Sequence, residues 1–253
     1  MAPTMHNYLF CHSFSPSRWS HDQRRCERTH QGREEGLIGS LMETLSGRRA
    51  SKDHGFIPFS APTYAQVHRT FSDFVHAIYR LEVVGADHVP VTGPVVVASN
   101  HDSFLDGIIL GAAISRDLRF VAKAELWRFR LLAWMLDGLG AIPIVRNHCD
   151  FHALAEVLEA LNAGQAVAIF PQGAVRGDRP WHRGAAHVAL VTGATLVPVR
   201  LLGTARALSR GRIGFPQLRV IVGEPIKVGQ APEDPDAATE LTERLRVTVE
   251  SLA

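Results

Sequence analysis

The sequence predicts an α/β fold: a single layered domain with a mainly parallel sheet flanked by helices, behind an N-terminal extension. Three observations carry this. From about residue 80, short β-branched runs alternate with stretches of helical period. The polar, chemistry-bearing motifs fall at the ends of those runs, where ligands sit in open parallel sheets. The 253 residues are 46% hydrophobic and 21% charged, which is ordinary globular material sufficient for one main core.

Residues 1–58 are rich in Arg, Ser, His and Gly and lack apolar periodicity, so they read as a disordered extension before a domain over 59–253. Arg24, Arg25 and Arg28 are offset by Asp22, Glu27, Glu34 and Glu35, which favours a solvated tail over a lipid contact. An amphipathic helix follows, with Tyr64, Val67, Phe71, Phe74, Val75 and Ile78 at three- and four-residue steps. Its stripe is expected to pack on the domain, and a membrane-surface role is the alternative. Then come VVVAS and a helix from Ser103; LRFVA and a helix over ELWRFRLLAWMLDG; AIPIV and a helix over DFHALAEVLEALN. AVAIF, a helix near GAAHVALVTG, TLVPVRLLG, LRVIVGEPIKV and a last helix over EDPDAATELTERLRVTVESL complete the series.

Several function classes are disfavoured. The 27 basic and 25 acidic residues are mixed along the chain, so no nucleic-acid footprint is visible. Cys11, Cys26 and Cys149 lack paired spacing, and His6, His12, His21 and His30 lack ligand spacing, so no metal site or disulfide framework is expected and a cytoplasmic setting is. The longest weakly charged stretches fall short of the roughly twenty residues needed to span a bilayer. MAPTMHNYLF does not read as a secretory signal.

SNHDSFLD, residues 99–106, sets His101 and Asp106 five positions apart directly after a strand. Two readings stand. Ser103 to Asp106 is an S-x-x-D capping pattern, with Ser103 as N-cap and Asp106 at N3. Alternatively the turn folds the imidazole back onto Asp106, which would fix the tautomer and leave the other ring nitrogen as a base. His68 and Asp73 repeat the spacing inside the amphipathic helix, where five residues put the side chains about 140° apart, so that copy is accidental.

SNHDSFLD is followed by FVAKAELW, GAIPIVR, FPQGAVR, HRGAAHVAL and LVPVRLLG. In that order, over about residues 80–228, the chain resembles the glycerolipid acyltransferase family related to bacterial 1-acyl-glycerol-3-phosphate acyltransferase. The resemblance implies transfer of an acyl group from acyl-CoA or acyl-carrier protein to a hydroxyl of a glycerophosphate or lysophospholipid. No cofactor beyond that co-substrate is implied. His101 would be the general base and Asp106 its orienter. Arg146 matches the arginine that holds the acceptor phosphate and Arg176 a second arginine, while Gln172 and Gly173 fall in the acceptor block and Pro198 in the donor-side block. Lys123 and Glu125 match a K-x-E-L element and stay outside the catalytic set.

One departure stands out: FPQGAVR replaces F-P-E-G-T-R, so Gln172 occupies a carboxylate position. An amide can bond an acceptor hydroxyl or a neighbouring backbone group but carries no charge. The expectation is an enzyme of phospholipid synthesis attached peripherally to the inner face of the membrane. The alternatives are an acyltransferase for another lipid acceptor, or a lipid- or acyl-CoA-binding relative without turnover.

Overall fold

The structure, a computed structural model, describes residues 63–145, 150–175, 180–209, 212–231 and 234–252. The extension expected over residues 1–58 lies outside that set. The first half contains α1 (Tyr64–Ile78), β1 (Leu81–Val84), β2 (Val95–Ser99), α2 (Asp106–Ala113), β3 (Leu118–Lys123), α3 (Arg130–Gly138), β4 (Ile142–Ile144) and α4 (Phe151–Asn162). The second contains β5 (Ala166–Ile169), α5 (Gly184–Thr192), β6 (Thr195–Leu202), α6 (Thr204–Ala207), β7 (Leu208–Ser209), β8 (Arg212–Ile213), β9 (Leu218–Val222) and α7 (Pro235–Ser251).

Seven strands form one sheet in the order β1-β9-β6-β2-β5-β3-β4, with β7 and β8 as a separate pair. β2 lies parallel to both β5 and β6, β3 is parallel to β5 and β4, and β9 pairs antiparallel with β6. β1 pairs parallel to β9. The carboxyl ends of β2 to β6 therefore point one way, and the starts of β1 and β9 lie at that same end. The mainly parallel sheet expected from the sequence is present.

β2 explains why its sequence is an unbroken apolar run. All five residues are buried, because helices cover both faces. Val95 and Val97 face a layer with Ile109, Leu110 and Leu136 from α2 and α3. Val96 and Ala98 face Val157, Leu161, Val188 and Leu245 from α4, α5 and α7. α1 packs on the first layer through Val75 and also buries Val67, both on its predicted stripe, and starts at a capping box between Thr63 and Gln66.

Three elements differ from expectation. The helix expected over 125–138 is interrupted: Ala124–Arg128 is a 3-10 turn, Phe129 is extended at φ −93° and ψ 107°, and α3 begins only at Arg130. The break folds the turn back so that the Trp127 indole donates to Asp137 at 2.9 Å. LRVIVGEPIKV is a strand only to Val222, with a single bridge from Leu196 to Ile226 beyond it, since Pro225 has no amide for a ladder. LEVV forms the edge strand β1, whose alternating half-burial was not anticipated.

α5 buries every residue from Gly184 to Leu190, including His187. Burial, with Arg183 adding, holds the His187 imidazole down to about 4 from its ordinary 6.5. Between those values the unfolded chain binds a proton that the folded chain does not, so folding stability falls as pH falls through that window. The unfolding free energy from denaturant titrations between pH 7 and pH 4 should drop by on the order of 2 kcal/mol from this group. In His187→Gln that component of the pH dependence should vanish.

Candidate active site

The site is built where β2 and β5 end side by side. β2 delivers residues 100–105, a short irregular turn before α2, and β5 delivers the turn Phe170–Gly173. In the second turn Gly173 N–H donates to the Phe170 carbonyl at 3.0 Å, with Pro171 at the position where its fixed φ suits a β-turn. Gly173 has φ +65°, a conformation that favours glycine, and a Cβ there would stand in tight contact, 3.1 Å from the His182 ring.

His101 and Asp106 meet: Nδ1 lies 2.9 Å from Asp106 Oδ2. A carboxylate only accepts, so Nδ1 carries the proton and Nε2 keeps its lone pair. Asp106 is fully buried, and the same Oδ2 also accepts from the amides of Asp102 at 2.6 Å and Ser103 at 2.8 Å. Its Oδ1 has no hydrogen-bond partner among the described residues. The imidazole is 14% exposed and stacks on Phe170, with ring centroids 4.3 Å apart and planes at 20°. A ring held on one nitrogen and one face, with the other nitrogen free to accept a proton, is the geometry of an oriented base.

Gln172 joins the two turns, its Oε1 accepting from the His101 amide at 2.5 Å. Of the options open to the amide in the sequence, this is the bond to neighbouring backbone. Asn100, which the sequence reading passed over, is the second fastener. Its Oδ1 accepts from Leu201 N–H at 2.8 Å, and its Nδ2 donates to the Leu201 carbonyl at 3.0 Å and to Asp102 Oδ2 at 2.7 Å. The side chain thus imitates one more residue of the β2 to β6 ladder and pins the base of the turn.

A family model described as Acyltransferase matches residues 80–202, the stretch that holds these strands and both turns. Those residues belong to the acyltransferase family. Over 204 residues the chain is 28% identical to the chloroplastic 1-acyl-sn-glycerol-3-phosphate acyltransferase LPAT1 of Arabidopsis thaliana, covering 77% of this chain and 54% of that protein. It is 28% identical over 148 residues to the 1-acyl-sn-glycerol-3-phosphate acyltransferase of Bacillus subtilis (strain 168), covering 58% and 73%. The chain spans about half the length of the plant relative. The crystal structure of the Thermotoga maritima acyltransferase PlsC has the same fold, at TM-score 0.63 and 21% identity over 75% of this chain and 78% of that one.

Within the acyltransferase domain, the structure brings His101, Asp106, Gln172 and Gly173 together. Arg146 and Arg176 lie outside the described residues. Pro198 is not at a strand end but inside β6, buried and in register with Ala98, its carbonyl accepting from Gly223 N–H at 2.8 Å. It fits there because the antiparallel ladder with β9 stops at Val199, one residue later in β6. Lys123 and Glu125 pair with each other at 3.0 Å at the end of β3.

The Asn100 contacts generate a stability test. Asn100→Ala strips partners from both backbone groups of a buried Leu201 and should cost about 1–3 kcal/mol in urea denaturation. Asn100→Asp keeps the acceptor for Leu201 N–H but loses both donors and sets a carboxylate against Asp102. Its deficit should therefore shrink as the pH is lowered into the carboxylate range, whereas that of Asn100→Ala should not.

Proposed function

We propose that the chain is an O-acyltransferase that moves a fatty acyl group from acyl-CoA or acyl-carrier protein to a hydroxyl of a glycerophosphate or lysophospholipid. The observation that carries the reading is the 2.9 Å contact between His101 Nδ1 and a fully buried Asp106 carboxylate. The relatives, 1-acyl-sn-glycerol-3-phosphate acyltransferases, suggest the acceptor class.

An alcohol is a poor nucleophile at neutral pH, so its proton must leave as its oxygen attacks the thioester carbonyl. His101 Nε2 accepts that proton while the new O–C bond forms, and Asp106 stabilises the resulting imidazolium. When the tetrahedral intermediate collapses, the C–S bond breaks and the imidazolium returns its proton to the departing thiolate. No acyl-enzyme is required. Phe170 holds the ring plane, and Gln172 ties the His101 backbone to the acceptor-side turn. Arg146 and Arg176 are the proposed phosphate partners, since a guanidinium presents the forked donors that phosphate oxygens accept. Peripheral attachment to the inner face of the membrane fits a lipid substrate, and no helix among the described residues is long and apolar enough to cross a bilayer.

His101→Ala should lower turnover at least about 100-fold, and Asp106→Asn should lower it through the tautomer while the domain stays folded. Incubation with labelled acyl-CoA and a panel of lysolipids, followed by product identification, checks this. A folded His101→Ala protein with near-normal acyl transfer would refute the mechanism.

Gln172 is the reason to keep a second acceptor class in view. A glutamate there could take the same bond from the His101 amide, so Gln172→Glu changes charge more than geometry. If the acceptor is a glycerophosphate, Gln172→Glu should keep kcat/KM for lysophosphatidic acid within about threefold or raise it. A preference of the wild type for amine- or sugar-bearing lipids, lost in Gln172→Glu, would assign the amide to a different acceptor.

A further inference from the structure

We infer that the end of the molecule that carries the His101–Asp106 pair is a docking face for an anionic phospholipid bilayer, with the exposed segment Arg128–Leu131 as its principal contact. The inference rests on the acyltransferase reading for its purpose, since it names the surface through which that site would meet lipid. Its measurement does not need any acyl transfer to occur.

The topology sorts the exposed apolar side chains. Because the carboxyl ends of β2 to β6 point one way, Phe104 after β2 and Phe129 and Leu131 after β3 emerge at the same end as the site. β1 and β9 run against those strands, so Ile78 before β1 and Phe215 before β9 emerge there too. All five phenylalanines exposed among the described residues, these three with Phe74 one turn before Ile78 and Phe151 after β4, lie toward that end. Phe104 is 72% exposed two residues from Asp106, and Leu131 is 79% exposed. Val84 at the end of β1 and Val91 before β2 emerge at the opposite end, and Val247 lies on α7. Large apolar side chains gathered around one opening on several loops are the mark of an interaction surface rather than of scattered exposure.

Charge selects the partner. Arg128, Phe129, Arg130 and Leu131 are consecutively exposed, alternating cation with apolar group, and Arg80 and Arg206 are exposed at the same end. Exposed acids at that end include Asp73, Glu82 and Glu125, of which Glu82 is held by Arg219 and Glu125 by Lys123, each at 3.0 Å. The Arg128 guanidinium lies 4.6 Å over the Phe129 ring. That pairing lets an aromatic ring enter the acyl boundary while the cation stays among headgroups. The interruption of the expected helix at Phe129 is what presents the segment, since Trp127 and Leu126 turn inward on one side of the break and the four exposed residues project on the other.

The test is flotation of the full chain with vesicles of phosphatidylcholine alone or mixed with phosphatidylglycerol, at low and high salt. The wild type should float with the anionic vesicles and be released by salt, because exposed charges are screened. The double substitution Phe129→Ser with Leu131→Ser should reduce vesicle binding at least about tenfold. Arg128→Gln with Arg130→Gln should reduce it about 20-fold at low salt and remove most of the salt sensitivity. Both variants should keep the wild-type thermal transition. Acyl transfer to a monomeric short-chain acceptor should be unchanged in them, while transfer to the same headgroup embedded in anionic vesicles should fall. If wild type transfers no acyl group, flotation still decides the docking face. Wild type that does not bind anionic vesicles, or variants that bind like wild type, would overturn the proposal. So would equal binding to neutral vesicles, or substitutions that abolish self-association of the chain and leave vesicle binding intact.

Discussion

The structure around the site depends on one buried charge. Asp106 is fully inside the protein, and an ionised carboxylate there costs several kcal/mol unless donors replace the water it has lost. Three donors converge on Oδ2: the His101 ring and the amides of Asp102 and Ser103. The first residue of α2 therefore shapes the turn that precedes it, and the positive end of the helix dipole adds to the anion's stability. The direction of the imidazole, the path of residues 101–103 and the start of α2 are consequences of satisfying one oxygen. None of the three can be loosened without leaving a buried charge short of a partner.

This explains why the sequence left two readings of SNHDSFLD open. Asp106 does accept from Ser103 N–H, as the acidic member of a capping box does, and it also accepts from His101. Capping and orientation of the ring are two uses of one carboxylate. The serine half of the box is not formed: Ser103 Oγ accepts from Leu105 N–H at 3.3 Å, and regular helix begins only at Asp106. A spacing of five succeeds here because residues 101–105 are not helical. It fails at His68 and Asp73, both inside α1, where His68 Nε2 instead lies 3.4 Å from the Ile114 carbonyl.

What could be read in advance was what local chemistry determines. The apolar runs of β2, β3, β5, β6 and β9 were visible because burial demands them, and Asp150 capped α4 where the composition turned helical. The misses have partners far away in the chain. Asn100 pairs with Leu201, 101 residues on, and Gln172 with His101, 71 residues back, so nothing in either neighbourhood announces the contact. The break at Phe129 is of the same kind. ELWRFRLLAWMLDG has good helical composition throughout, and only the need for Trp127 to reach Asp137 from a turn packed against α3 divides it.

Residues 100–105 and 170–173 belong to neighbouring parallel strands, and neither turn is rigid by composition alone. Each is completed by the other. Phe170 covers one face of the imidazole, and Gln172 takes the His101 amide, which the buried carboxylate does not engage. A glutamate could make that bond, but it would bring a second full charge beside the turn that holds Asp106, and further donors would then be needed to balance it. The amide keeps the shape of the acceptor without that requirement. The departure at residue 172 therefore preserves the fastening of the two turns, and what it alters is the charge carried beside His101.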